Sequence, residues 1–248
     1  MIASRRMQNE PAWLLHHRPF RDSSQILDIL SRDHGRLAVV AKGSRGAKSR
    51  LRGILRPFLP LQLSWVIRSD LGTLTGAEMD GAPITLTGDA LLSGYYVNEL
   101  ILKLTHRHDP QPEIFAAYSQ TIERLAGNRD VARYLRQFEI ELLRLLGYAL
   151  NLDHDAATRE PLMPRQQYEY RAEQGPVPVD DREGPMVFSG AELMAIRNQQ
   201  FADPAVLKNA GSLLRIVIAY HLDGKELKSR KVMREMRKAT TKKGSKGN

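Results

Sequence analysis

The chain reads QILDILSRDHGRLAVVA from residue 25 to residue 41, and this stretch decides the fold of the N-terminal region. Two aliphatic runs, 25–31 and 36–41, lie on either side of the polar turn residues Asp33, His34 and Gly35. Short apolar runs separated by a glycine-containing turn are typical of a β-hairpin. The sequence therefore predicts two paired antiparallel strands here.

Three further runs on either side of this hairpin also have the pattern of short strands, at residues 13–18, 59–67 and 73–78. The polar segment 68–72, RSDLG, predicts a second hairpin turn between the last two. Five short strands within so short a stretch predict a small closed barrel. The OB-fold is the most common five-stranded barrel of this kind, and it binds oligonucleotides across its face and loops.

Beyond Pro83 the apolar residues recur with a helical period instead. A capping box, Ser189 with Glu192, predicts the start of one helix, whereas the polar stretch 148–188 predicts an irregular insert with one hairpin at 168–179. The other predicted helices are 87–105, 112–125, 130–146, 204–222 and 229–238. The fold class is thus α+β, an N-terminal OB-fold barrel followed by an all-helical domain. The predicted domains are 1–82, 83–238 and a disordered basic tail, 239–248.

The charge of the chain is unevenly distributed. There are 37 Lys and Arg residues against 28 Asp and Glu, a formal net charge of +9. By segment the net charge is +6 over residues 1–82, −5 over 83–224 and +8 over 225–248. A basic excess concentrated at two ends favours a polyanionic partner, although a basic tail alone could produce part of this pattern.

The densest basic run is residues 42–56, KGSRGAKSRLRGILR, which the glycines and serines predict to be a loop. Uncompensated cations repel one another unless a polyanion neutralises them, and phosphate contacts release counterions. The alternative is an ordinary solvated loop. The predicted DNA contacts are Lys42, Arg45, Lys48, Arg50, Arg52 and Arg56, with Lys228, Arg230, Lys231 and Arg234 as a second region. Phe20, between Arg18 and Arg21, is the aromatic residue expected to be exposed for base stacking.

The sequence gives no pattern typical of an enzyme. There is no phosphate-binding glycine motif, no nucleophile elbow and no zinc-binding helix motif, and the absence of cysteine excludes disulfides and thiolate metal sites. We expect no metal and no cofactor, although scattered carboxylates of a metal-dependent nuclease would leave no local signature. The N-terminus has no apolar signal segment and no apolar run is long enough to cross a bilayer, so we expect a soluble cytoplasmic protein.

Several short motifs, in order along the chain, resemble the RecO family of bacterial recombination mediators. They are 15–24 (LHHRPFRDSS), 35–43 (GRLAVVAKG), 45–58, 94–100 (GYYVNEL), 136–139 (RQFE), 146–148 (LGY) and 227–230 (LKSR). Many members of the family carry a cysteine zinc site after the LGY motif. Residues 151–170 contain no cysteine, so the resemblance is to the zinc-free branch.

The resemblance implies an OB-fold, a helical domain and no enzymatic activity. It implies a nucleoid-associated bacterial protein that binds single- and double-stranded DNA and anneals complementary strands. It further implies binding to the acidic C-terminal tail of the single-stranded DNA-binding protein (SSB) and, with RecR, loading of RecA during gap repair. Since that tail is acidic and then apolar, we expect its receptor to be Arg133 and Arg136 beside the apolar face at Phe138.

Three other functional classes stay open from the residues alone. An RNA- or ribosome-associated protein is the first, because OB-folds and basic loops also serve RNA. The second is a nuclease. The third is a structural adaptor, for which no salt-sensitive DNA affinity is expected.

Overall fold

The computed structural model describes residues 5–127, 129–180 and 184–244, with the backbone alone described for 237–244. The chain divides into two compact units. The first unit comprises Met1–Arg129 and Leu227–Asn248, and the second comprises Asp130–Glu226. Because the first unit takes up both ends of the chain, the two basic segments lie in the same unit.

The first unit is built on a five-stranded barrel. Its strands are β1 (Arg5–Phe20), β2 (Ser24–Ser31), β3 (Gly35–Ala41), β4 (Leu61–Ile67) and β5 (Leu71–Met79). They follow the order β1-β2-β3-β5-β4, and β4 closes the barrel by pairing with β1. β3 and β5 are parallel, and all other neighbours are antiparallel. The predicted OB-fold and the α+β class are confirmed.

β1 is much longer than the strand predicted at residues 13–18. Its first half pairs with β4 and its second half with β2, so one strand takes part in both sides of the closure. The register shifts between Met7 and Glu10, where Asn9 has a φ of 52°. A bulge of this kind bends a strand sharply, and Asn tolerates positive φ. Charged residues near the start of β1 interrupt the alternation of apolar residues, so the sequence pattern does not predict this part of the strand.

The barrel interior follows from the alternation of side chains along each strand. Leu27 and Ile29 of β2 point inward with Leu37 and Val39 of β3, and Trp65 of β4 is fully buried among them. These side chains form one apolar cluster. The outward-facing residues of the same strands are therefore the ones available for other contacts.

The described part of the first unit also contains the short helix α1 (Leu51–Ile54) and three longer helices, α2 (Gly88–Leu104), α3 (Pro112–Ala126) and α7 (Lys228–Gly244). Trp13 of β1 donates its indole N–H to Ser119 of α3 at 2.8 Å. The buried Asn98 of α2 donates to the carbonyl of Leu15 at 2.8 Å and accepts from the hydroxyl of Tyr118 at 2.7 Å. These bonds satisfy polar groups inside the contact between the helices and β1.

The second unit contains α4 (Val131–Leu145), α5 (Gly190–Arg197) and α6 (Pro204–His221). The region predicted as an irregular insert contains a three-stranded sheet, β6 (Gln167–Arg171), β7 (Gly175–Val179) and β8 (Val187–Ser189), in the order β7-β6-β8. The predicted hairpin is β6–β7. The capping box is also present, because the amide of Glu192 donates to Ser189 and the carboxylate of Glu192 accepts from the amide of Ser189.

The predicted domain limits, 1–82 and 83–238, divide the chain differently from these compact units. α2, α3 and α7 follow residue 82 in sequence but belong to the same unit as the barrel. α7 also continues to Gly244, beyond its predicted end at residue 238, so the predicted disordered tail begins inside this helix. Residues 245–248 of that tail lie outside the described residues.

Candidate nucleic-acid interface

The basic segment between β3 and β4 is not wholly a loop, because it contains the short helix α1 (Leu51–Ile54). Leu51, Ile54 and Leu55 pack against the barrel cluster, and Leu59 at the end of the segment is buried in it. The local sequence therefore alternates apolar anchors with cations. The glycines predict a loop over the whole segment. The structure has one helical turn instead, because the contact of these leucines with the barrel favours it.

The start of the basic segment is fastened to the turn between β1 and β2. The amide of Arg45 donates to the carbonyl of Ser23 at 2.9 Å, and its guanidinium lies 3.4 Å from the carbonyl of Arg21. Ser44 is buried, and its hydroxyl donates to the carbonyl of Ala41 at 2.8 Å. This anchoring places Arg45 and Arg21 side by side.

All six predicted cations of the segment are exposed. Within the ranges that the structure describes, none of the six forms an ion pair with a carboxylate. Six neighbouring cations without acidic partners create a strongly positive surface that attracts phosphates. We call this surface the basic loop; it consists of Lys42, Arg45, Lys48, Arg50, Arg52 and Arg56.

Phe20 is half-buried, which corrects the expectation that it is exposed. Its ring packs against the outer-face cluster formed by Ile26, Ala38 and Val40. The guanidinium carbon of Arg21 lies 5.2 Å from the ring centroid, so a cation already covers part of the ring. Base stacking on Phe20 stays a prediction, and it would require displacement of Arg21.

The second predicted basic region lies at the start of α7. Lys228, Lys231 and Arg234 are exposed. Arg230 is only partly exposed, because its guanidinium lies over the ring of Tyr96, 5.1 Å from the centroid, and donates to the Tyr96 hydroxyl at 2.8 Å. Arg230 thus attaches α7 to α2, and its proposed role in DNA contact is untested.

The predicted SSB-tail site on α4 is largely corrected by the structure. Phe138 is only 2% exposed, so its ring belongs to the core and offers no open apolar surface. Arg136 donates one hydrogen bond of 3.0 Å from its Nη2 to Oε1 of the fully buried Glu139 carboxylate, and its Nε forms an ion pair with Oε2 at 3.0 Å. Only Arg133 of the three is exposed. An apolar helix stripe predicts burial, and the burial of Phe138 contradicts its expected part in the site, whereas tail binding at Arg133 stays a prediction.

Three further exposed cations were not predicted as contacts, and two of them, Arg18 and Arg21, lie in the chain segment fastened to the start of the basic loop. Arg18 and Arg21 are exposed, and Arg18 faces outward on β1 because it lies opposite Ile26 of the outer-face cluster. Lys103 is exposed in the last turn of α2. The two arginines in the run RPFRD at 18–22 could have been predicted as DNA contacts from their clustering. Lys103 could not have been predicted from the sequence, because a lysine near the end of a helix is common.

Two further features are absent from the part of the chain that the structure describes. No group of three or more His, Asp or Glu side chains is placed to hold a metal ion. No helix is both long enough and apolar enough to span a bilayer.

The chain matches two family models that together span most of its length. Residues 6–81 match Recombination protein O N terminal, and residues 86–231 match Recombination protein O C terminal. Among similar proteins, the DNA repair protein RecO of Aromatoleum aromaticum is 42% identical over 237 residues, which is 95% of this chain and 99% of the relative.

Two further relatives carry the same name. The DNA repair protein RecO of Azoarcus sp. is 41% identical over 95% of this chain and 99% of its own length. The protein of that name from Nitrosococcus oceani is 41% identical over 92% of this chain and 94% of its own. With a barrel of OB topology in the N-terminal match and helices in the C-terminal match, this chain belongs to the RecO family of DNA repair proteins.

Proposed function

We propose that this protein is a DNA-binding recombination mediator that uses the basic loop as its principal phosphate contact and anneals complementary single strands. The observation that carries the proposal is the exposure of six neighbouring cations with no carboxylate partner among the described residues. Annealing brings two polyanionic backbones together, and a dense positive surface reduces their repulsion. The protein acts without catalytic activity of its own, in the bacterial cytoplasm at the nucleoid.

The partners in this proposal are the SSB C-terminal tail, RecR and, through RecR, RecA. Membership of the RecO family supports them. For the tail, Arg133 is the remaining candidate on α4, because Arg136 is bonded to Glu139 and Phe138 is buried. The tail experiment is therefore Arg133→Glu, followed by titration of a labelled tail peptide. Undiminished peptide affinity would remove Arg133 from the site.

The experiment on DNA compares two variants with equal changes of charge. The loop variant changes four cations to Gln, namely Lys48, Arg50, Arg52 and Arg56. The control variant changes four exposed cations of the second unit to Gln, namely Arg159, Arg165, Lys208 and Arg215. Affinity for a labelled single strand is measured by fluorescence anisotropy over a range of salt concentrations.

We expect the loop variant to bind more weakly and with a shallower dependence on salt. Each lost phosphate contact lowers the magnitude of the slope of log K against log salt by about 0.7 for single strands, so four contacts lower it by about 3. The control variant should keep the wild-type slope. Equal slopes for the two variants would show that the basic loop is not the phosphate contact.

Annealing is measured with complementary strands that have been coated with SSB. Acceleration by the wild-type protein in the absence of nucleotide and divalent metal, reduced in the loop variant, supports the mediator function. Tighter binding to an RNA strand of matched sequence would favour the RNA-binding alternative instead. Metal-dependent cleavage of the strands would indicate a nuclease.

A further inference from the structure

The side chain of Tyr95, on α2, lies between the two basic regions of the first unit. Tyr95 is 45% exposed, although the next residue, Tyr96, is 2% exposed. Exposed tyrosines are common singly, so exposure alone assigns no role. Tyr95 differs from other exposed tyrosines in its position relative to the basic loop and α7.

On one side, Tyr95 adjoins the end of the basic loop. Its ring makes an edge-to-face contact with Phe58, with the ring centroids 5.2 Å apart and the planes at 68°. Phe58 is 5% exposed and follows Arg56 by two residues. Two residues span at most about 7 Å of chain, so the last cation of the loop begins close to this ring pair.

On the other side, α2 leads directly to α7. Glu99 lies one helical turn beyond Tyr95, about 6 Å along the axis. Its carboxylate accepts the amides of Lys228 and Ser229 at 2.9 and 2.8 Å. A further turn along, the exposed Lys103 adds another cation. The aromatic ring therefore has cations beyond it in both directions along the surface.

We propose that Tyr95 stacks on an unpaired base of one single strand whose backbone runs from the basic loop to the start of α7. This inference rests on the proposed DNA-binding function and adds to it that both basic regions hold the same strand. Phosphate contacts on either side of an aromatic ring are the arrangement by which proteins bind single strands without sequence preference. Duplex DNA offers no such base, because its bases are stacked inside the helix.

The test uses the full-length chain and three variants. Tyr95→Ala removes the ring and Tyr95→Phe keeps it. Tyr148→Ala is the matched control, because Tyr148 is equally exposed at 45% but lies in the second unit. Affinity is measured for a single strand, for the same strand with abasic sites throughout, and for the duplex, each over a range of salt concentrations.

We expect Tyr95→Ala to weaken single-strand binding by about 5- to 150-fold, the range for losing one stacked base. The salt slope should stay at the wild-type value, because a neutral ring releases no counterions. Tyr95→Phe and Tyr148→Ala should bind like the wild type. For the abasic strand and for the duplex, Tyr95→Ala should match the wild type.

Two results would overturn the inference while the proposed function stands. One is a wild-type affinity of Tyr95→Ala for the ordinary single strand, while the loop variant binds poorly. The other is an equal loss by Tyr95→Ala on the ordinary and abasic strands, since that loss would not involve a base. Failure of the wild-type protein to bind any strand would instead contradict the proposed function itself.

Discussion

Glu99 on α2 holds the start of α7 through Ser229: its Oε2 accepts hydrogen bonds from both the amide and the hydroxyl of Ser229, at 2.8 and 2.6 Å. A carboxylate at this position also interacts favourably with the partial positive charge of a helix N-terminus. The two residues are 130 positions apart in the chain. This contact fixes the C-terminal cations on the barrel unit.

The first prediction concerns this cap. Glu99→Gln should loosen α7, because a neutral amide offers one acceptor oxygen where the carboxylate offers two, and the loss of a cap costs about 0.5–2 kcal/mol. We expect faster trypsin cleavage within Lys228–Gly244, measured by mass spectrometry. Glu123→Gln, at an exposed position of α3, is the control. Equal cleavage of the two variants would show that Glu99 does not hold α7.

A second prediction concerns the close packing of α2 against Phe58. A Cβ at Gly94 would lie 2.6 Å from a Leu86 methyl carbon and 2.9 Å from the Phe58 ring. Gly94→Ala should therefore destabilise the fold by about 1–3 kcal/mol, measured by urea unfolding. At Gly53 in α1 a Cβ meets open space, so Gly53→Ala should be neutral or slightly stabilising. If both variants unfold alike, Phe58 is not held by this contact.

A third prediction concerns the buried hydrogen bonds around Asn98. Asn98→Leu leaves the Tyr118 hydroxyl and the Leu15 carbonyl without these partners, at a cost of about 1–3 kcal/mol each. In a double-mutant cycle with Tyr118→Phe, the two losses in the free energy of unfolding should add to more than the loss of the double variant. Strict additivity would argue against coupling between the two side chains.

Alkaline pH gives a fourth prediction. Burial raises the pKa of Tyr118 far above its ordinary value. An acid whose pKa is raised by folding stabilises the folded state below its unfolded pKa of about 10, and that contribution is lost as the pH rises further. The stability difference between the wild type and Tyr118→Phe should therefore shrink above about pH 10. A pH-independent difference in urea unfolding between pH 8 and 11 would contradict burial of the phenol.

The fifth prediction compares the contributions of two arginines of α4 to stability. Arg136→Met removes the guanidinium that is bonded to the buried Glu139 carboxylate, and breaking a buried pair costs about 3–5 kcal/mol. Arg133→Met alters an exposed side chain and should change stability by less than about 0.5 kcal/mol. Urea unfolding of both variants is the measurement. Similar stability of the two would mean that the Arg136–Glu139 pair contributes little to the second unit.

Local patterns predicted most of the elements, because they repeat within a few residues. The hairpin of β2 and β3, the helix positions and the Ser189 capping box all follow from such spacing. The first half of β1 and α1 were missed. Both depend on partners far away in the chain, β4 for the first and the barrel cluster for the second. The sheet of β6, β7 and β8 was only partly predicted, because it also depends on pairing between segments that are separated in the chain.

The amino-acid sequence by itself determined the five-stranded barrel, the helical remainder and the concentration of positive charge at two ends of the chain. Only the tertiary structure decided which of those cations are available to a partner. Arg136 is paired with Glu139, and Arg230 donates a hydrogen bond to Tyr96, whereas the cations of the basic loop are exposed. The physical reason is that charge belongs to a residue, but its availability depends on how the fold packs that residue. Glu139 is three residues from Arg136 on the same helix, yet only packing of the helix buries its carboxylate, and Tyr96 reaches Arg230 from a distant part of the chain.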